Sequence, residues 1–345
     1  MAFQGRRPYL VPPTAVWRRQ LQSRRPWKAI VQGTRSTRTL ATLLLLLSAS
    51  IAVAQSAKSG IRLGKKSVHQ WRFGCEVSGQ GGACRGIIVT LPVPMKWPEQ
   101  SVKVVSTDKT RNVTRVRYKK LKGARQMIVS IPRLGANATA RVVVTYEITK
   151  HWIQGPETTD GFRQPKSSSK VRSFLLPSPQ IETRDPRIIA AAKAVMPQDP
   201  GAWKKVEAYY DWVRKNVKYK FDKKLRGAVT ALETKVGDCE ELTSLFVAFC
   251  RVNKIPARSV WIPGHCYPEF YLEDSKGKGH WFPCQAAGTR DFGSMPEDRP
   301  VLSKGDRFRI PGKRKPHRYL RITLQARQAV QPPKLKWIQE RVEKK

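Results

Sequence analysis

The sequence predicts an α+β protein in which an antiparallel β-sandwich precedes a domain of helices and a β-hairpin. Three observations carry that prediction. Residues 86–148 hold short β-branched runs broken by Gly and Pro, and residues 187–253 hold apolar side chains at intervals of three and four. Residues 264–285 read as strand, charged glycine-rich turn and strand. With 345 residues, 40% of them hydrophobic and ten of them Trp, the chain has room for two modest domains and a targeting segment.

Taken in order, residues 40–54 (LATLLLLLSASIAVA) are an apolar run behind a basic leader and end in Ala52-Val53-Ala54, a small-x-small cleavage pattern. This is expected to be a secretory signal peptide cut after Ala54, which places the mature protein in the periplasm, cell envelope or extracellular space. The run is shorter than the roughly 20 apolar residues of a membrane span. The leader, residues 1–38, is long for such a signal and suggests a true start codon further downstream.

Residues 55–154 are expected to form the sandwich, from GIIVTLPV (86–93), VKVVS (102–106), VTRVRYKKL (113–121), QMIVSI (126–131) and ATARVVVTYEI (138–148). Cys75 and Cys84 flank the turn-rich Ser78–Gly82 segment, and in an exported protein they read as a cross-hairpin disulfide. Residues 155–170 (GPETTDGFRQPKSSSK) read as a polar linker. The second domain is expected over 171–300, with a basic C-terminal extension over 301–345.

Within the second domain, Asp185-Pro186 caps an Ala-rich helix over about 187–196. Trp203, Val206, Tyr210, Val213 and Val217 give one apolar face to a helix over about 201–217, and Tyr219 follows in a short extended segment. Gly237-Asp238-Cys239 opens a third helix, over about 239–253, with Leu242, Leu245, Phe246 and Phe249 as its buried stripe. Asp238 and Glu241 have the spacing of a capping box. That puts Cys239 at the first helical position, where the helix dipole favours a thiolate. Cys250, at the far end of this helix, reads as a buried structural residue.

A nucleophilic Cys needs a base, and His is the side chain that serves near neutral pH. His265 opens the first hairpin strand, GHCYPEFYL; the second is HWFPCQ. If Leu272 pairs with Lys278, His265 falls opposite Gln285 on one face and Cys266 opposite Cys284 on the other. The first pair offers the His an amide neighbour, and the second is another candidate disulfide. His280 reads as a surface residue.

These residues resemble the transglutaminase-like superfamily, whose fold is related to papain. The resemblance spans roughly residues 171–290 and rests on GDCEE, on FCRVNKIPARSV in place of the family's "R…GIPAR.V" segment, and on the HCYPEFYL and HWFPC strands. It implies a papain-like α+β domain with Cys239 as nucleophile and His265 as general base and acid. The family usually has an Asp a few residues after the Trp of the last strand; here Trp281-Phe282-Pro283-Cys284 leads to Gln285. An amide oxygen can orient an imidazole but stabilises its charged form less than a carboxylate does. The resemblance further implies an oxyanion hole made by the Cys239 amide and one upstream donor, for which Tyr219 is the candidate. The Ile255–Arg258 segment is expected to be structural.

The implied chemistry is amide acyl transfer, either to water (a peptidase or amidase acting on a protein or peptide) or to an amine. It calls for no cofactor and no metal, and no acidic calcium loop is evident. A second class remains open: an inactive module that keeps the fold and grips an anionic envelope polymer or partner. The formal charge of +41 favours anionic partners, and removing the nine Arg and Lys of residues 1–54 still leaves +32. No basic helix or aromatic-interleaved nucleic-acid motif accompanies that charge, and secretion argues against a nucleic-acid partner.

Overall fold

A computed structural model describes residues 60–166, 169–196, 198 and 201–343. The signal peptide and leader expected over 1–54 lie outside the described residues. The strand-rich region begins with β1 (Arg62–Ser78), β2 (Cys84–Val93), β3 (Gln100–Lys109), β4 (Arg115–Leu121), β5 (Ala124–Leu134) and β6 (Thr139–Gln154). The helical region follows with α1 (Ser169–Arg172), α2 (Pro186–Ala194), α3 (Ala202–Asn216), β7 (Lys218–Tyr219), α4 (Ala228–Thr234), β8 (Val236–Gly237) and α5 (Cys239–Val252). The chain continues through β9 (Ala257–Ile262), β10 (His265–Glu273), β11 (Gly279–Pro283), β12 (Ser303–Lys304), β13 (Thr323–Gln325), β14 (Gln328–Ala329) and β15 (Lys334–Arg341).

The strands form two large sheets. One has the order β15-β1-β6-β3 and is antiparallel throughout. The other runs β11-β10-β9-β12-β5-β2-β13, with β14 also on β2 and β4 also on β5. Phe73, Cys75 and Val77 of β1 and Val142, Val144 and Tyr146 of β6 share one buried cluster with Ile87, Val89 and Leu91 of β2 and Met127, Val129 and Ile131 of β5. Each set alternates along its strand, as the two-residue period of a half-buried strand requires.

Residues 301–345, expected as a basic C-terminal extension, supply strands to both sheets: β15 pairs with β1 from Trp71↔Arg341 to Ser78↔Lys334, and β13 and β14 pair with β2. Cys75 and Cys84 are not joined across a hairpin. β1 and β2 belong to different sheets, and both thiols are free and buried. The turn between them crosses from sheet to sheet instead of reversing a strand beside itself. Burial raises the Cys75 thiol to about 12, which leaves it an inert core residue.

The helical region packs around α5. Every residue from Cys239 to Arg251 is buried, so this helix is enclosed on all sides and does not show the core a single stripe. Its neighbours are α2, α3, α4 and the strands β9 and β10. The expected linker residues are also docked: Arg163 exchanges backbone hydrogen bonds with Glu273 at 2.8 and 3.0 Å, and buried Phe162 lies against Trp203 and Phe282. Among the described residues no helix is long and apolar enough to cross a membrane.

Candidate active site

The site is assembled where α5 starts. β7 and β8 form a short parallel pair, Lys218↔Val236 and Tyr219↔Gly237, extended by the Lys220 amide donating to the Gly237 carbonyl at 2.8 Å. That ladder brings Tyr219 beside the residues that precede the helix. At Gly237 an added Cβ would sit 2.6 Å from the Glu241 Cβ, so only glycine lets the chain pass under the first turn. The expected capping box is present. The Glu240 amide donates to Asp238 Oδ1 at 2.8 Å, and the Asp238 amide donates to Glu241 Oε2 at 3.0 Å.

Cys239 is therefore the first residue of α5, only 5% exposed, with its sulfur at the positive end of the helix dipole. Its thiol lies well below the usual value. A hydrogen bond from the Cys266 side chain is the largest influence; burial opposes it, and the hydrogen bond and charge of His265 add to it. Its backbone N–H is one of the leading amides of a helix that have no intrahelical acceptor.

Turn chemistry places His265. Ile262 pairs with His265 across Pro263-Gly264, with Gly264 at φ 73°. Proline followed by a residue in the left-handed region is what a type II turn demands. His265 is thus the first residue of β10. Its Nε2 lies 2.7 Å from Gln285 Oε1, and because a carboxamide oxygen only accepts, Nε2 carries the proton and Nδ1 is left for Cys239. Burial alone would lower the imidazole; its hydrogen bond to Cys239 and that residue's negative charge outweigh it and raise the group. A depressed thiol and a raised imidazole are the directions a thiolate–imidazolium pair requires.

The hairpin register differs from the expected one by two residues: Leu272 pairs with His280, not Lys278. A slip of two preserves faces, so His265 still meets Gln285, while a slip of one would have separated them. The slip does part Cys266 from Cys284. The Cys284 amide now donates to the Pro268 carbonyl at 3.0 Å, and the Cys284 thiol points at the same oxygen. Both cysteines are free, and the proposed Cys266–Cys284 disulfide is absent. The turn between the strands is stabilised by Asp274, whose Oδ1 accepts from the Lys276 and Lys278 amides. His280 is likewise not a surface residue: its side chain is 8% exposed, meets Asp274 Oδ2 at 2.9 Å and packs on Phe162 and Phe282.

Tyr219 is half exposed, and its phenol is raised by partial burial and by the negative charges of Cys239 and Asp238, which keeps it a protonated donor. Cys250 is fully buried with a raised thiol, and Arg258 of the Ile255–Arg258 segment pairs with Glu269 at 2.6 Å.

Two residues at the site went unassigned in the sequence, and a third was assigned a different partner. Arg214 of α3 donates to the Gln285 carbonyl and to the Gly288 carbonyl, each at 2.9 Å, and so fixes the backbone that carries Gln285. Its only signal was its place one turn after Tyr210, over whose ring it lies. Arg318 donates to the Glu240 carbonyl at 2.5 Å from the C-terminal segment, with nothing in the sequence to announce it. Cys266 was visible beside His265 but was given the wrong partner; its thiol donates to the Cys239 carbonyl at 3.5 Å.

A thiolate at a helix start, an imidazolium beside it and an amide oxygen behind the imidazole can attack a carbonyl and protonate the group that leaves. No curated protein matches the chain. A candidate cysteine protease from Cytophaga hutchinsonii aligns with 81% of this chain and 93% of its own at 14% identity, with a TM-score of 0.54, which shows a shared fold. A candidate protease from Parabacteroides distasonis aligns with 67% of this chain and 71% of its own at 12% identity, and its TM-score of 0.24 supports no structural argument. Residues 189–286, which run from α2 to just past Gln285, match the family model of the transglutaminase-like superfamily and form a transglutaminase-like domain of this chain.

Proposed function

We propose that this is an exported thiol enzyme that transfers acyl groups from amides through Cys239, most simply as a peptide or amide hydrolase. One observation carries the reading: His265 Nε2 meets Gln285 Oε1 at 2.7 Å, which leaves Nδ1 for the Cys239 thiol at the start of α5, and the two groups shift each other in the directions of an ion pair, thiol down and imidazole up. In the first half-reaction the Cys239 thiolate attacks the substrate carbonyl and the C–S bond forms. The oxyanion is met by the Cys239 amide and the Tyr219 hydroxyl, and His265 gives its proton to the leaving amine as the C–N bond breaks. In the second, His265 takes a proton from water, or from an acceptor amine, which attacks the thioester and restores the thiolate. Gln285 keeps the ring oriented in both. The strand-rich region is read as an antiparallel sandwich that supports this domain, and export is read from the apolar run and Ala52-Val53-Ala54.

An activated ester such as p-nitrophenyl acetate tests the chemistry without knowledge of the substrate. Intact-mass measurement is expected to find one acyl group on Cys239 that forms rapidly and is then lost by hydrolysis, and none on Cys239→Ser. Acylation no faster than that of an ordinary thiol contradicts the enzyme and supports the second reading, an inactive module whose charge of +41 grips an anionic envelope polymer. The amide at position 285 in place of a carboxylate is the observation that favours this alternative.

A further inference from the structure

The strand that delivers His265 also delivers a second sulfur. Cys266, the next residue of β10, places its Sγ 3.5 Å from the Cys239 carbonyl oxygen and 3.8 Å from Thr243 Oγ1, in the first turn of α5. The two thiols influence each other's ionisation: Cys266 lowers the Cys239 thiol, and Cys239 helps to raise that of Cys266. Neither thiol is engaged in a disulfide, and no other cysteine competes for Cys266, since the Cys284 thiol is directed at the Pro268 carbonyl. The acyl-transfer mechanism uses only one of the two sulfurs. A second thiol lodged against the residue that carries the nucleophile is chemically consequential, because it can trap an oxidised form of that nucleophile before oxidation proceeds further.

We propose that Cys239 and Cys266 form a reversible disulfide when the protein meets a peroxide, so that Cys266 is the resolving thiol of a redox-controlled nucleophile. The proposal rests on the reading of Cys239 as a thiolate nucleophile. In the first step the Cys239 thiolate attacks hydrogen peroxide, the O–O bond breaks, hydroxide leaves, and Cys239 becomes a sulfenic acid, oxidised by two electrons. In the second step the Cys266 sulfur attacks the Cys239 sulfur. The S–S bond forms, the S–O bond breaks, and the Cys266 proton leaves with the oxygen as water. Overall, two thiols and one hydrogen peroxide give a disulfide and two waters. A dithiol reductant reverses the change.

The environments of the two sulfurs divide the work in this order. Cys266 is 1% exposed and burial holds its thiol well above the usual value, so it is not the first sulfur to be oxidised. Cys239 is held as thiolate by its partners and reacts first. Closing the disulfide removes the nucleophile from service and protects it from sulfinic acid, which simple thiols do not reverse. In an oxidising compartment the same chemistry would keep the site latent until reduced.

The test is peroxide titration of the reduced full-length protein, followed by alkylation under denaturing conditions and peptide mass spectrometry. The expected result is a Cys239–Cys266 cross-linked peptide, a fall in titratable thiols from six to four, and full return of both after dithiothreitol. Cys266→Ala and Cys266→Ser are expected to lose the cross-link and to accumulate irreversible sulfinic acid on Cys239. Wild-type protein that carries sulfinic acid on Cys239 while Cys266 remains alkylatable overturns the proposal and leaves the nucleophile reading standing. Ordinary thiol reactivity of Cys239 in the reduced protein overturns the nucleophile reading itself.

Discussion

Gln285 is the residue on which the site's chemistry differs most from that of an acid-supported imidazole. Its amide oxygen accepts from His265 Nε2 at 2.7 Å, and Arg214 holds its backbone, so orientation is retained while a countercharge is not. A hydrogen bond to a charged group contributes about 1.5–3 kcal/mol, or roughly 10- to 150-fold in rate. Gln285→Ala is therefore expected to slow acylation of Cys239 by about that factor, and Gln285→Glu to raise the pH at which the imidazolium is lost. Acylation rates across pH check both; an Ala variant as fast as wild type would remove Gln285 from the mechanism. Cys239, His265 and Gln285 were each legible in the sequence because helix capping and strand alternation are local. Cys266 was misassigned because its partner depends on the exact hairpin register, which the Asp274 turn sets and the apolar pattern does not.

At the scale of elements, α5 depends on its cap. Asp238→Ala removes the acceptor for the Glu240 amide and is expected to destabilise the protein by about 1 kcal/mol, while Asp238→Asn keeps it. Burial, with the Glu241 side chain and the Cys239 charge, raises the Asp238 carboxyl to about 8. A carboxyl raised on folding contributes stability that is full below its unfolded value of about 3.9 and is lost as pH rises through the folded value. Denaturant titrations are thus expected to show wild-type stability declining between about pH 4 and 8 more steeply than that of Asp238→Asn. Equal slopes would refute this. Helices α2, α3 and α5 were legible because Asp185-Pro186 and Asp238 mark the starts of the first and last and an apolar period runs through α3 and α5, whereas α1 and α4 were not legible. β1 and β15 were not, because Lys, Arg and Gln on their outer faces break up the apolar runs, leaving sequences that look like tails until they pair with each other.

At the scale of the molecule, the sheet that carries the site is continuous, among the described residues, with the strand-rich region through the two residues of β12. Ser303 pairs with both Trp261 of β9 and Ala124 of β5, and Lys304 pairs with Val260. Beneath that junction Lys304 Nζ meets Glu269 at 2.6 Å and Glu99 at 2.8 Å, all three side chains almost wholly buried. Burial would raise Glu269, but Lys304 and Arg258 outweigh it and hold the carboxyl at about 2. Lys150 is also fully buried, its Nζ has no hydrogen-bond partner among the described residues, and burial lowers it. Removing one member of a buried pair costs about 3–5 kcal/mol, while replacing a poorly satisfied charge with an apolar side chain is often neutral. Lys304→Met is therefore expected to lower Tm sharply and Lys150→Met to leave it nearly unchanged, as calorimetry would show; the reverse order would mean the junction is held in another way. None of this was legible in the sequence, since Lys304, Glu99, Lys150 and Glu269 are brought together only by strands far apart in the chain.

The central claim is that His265 is the counterion that, together with the Cys266 thiol, holds Cys239 as a thiolate, and the pH dependence of Cys239 alkylation by iodoacetamide tests it most directly. Wild-type protein is expected to react rapidly near pH 6, well below the usual thiol value of about 8.5, and His265→Ala to move the profile up toward that value. A wild-type profile that rises only near pH 8.5, or one that His265→Ala leaves in place, would contradict it.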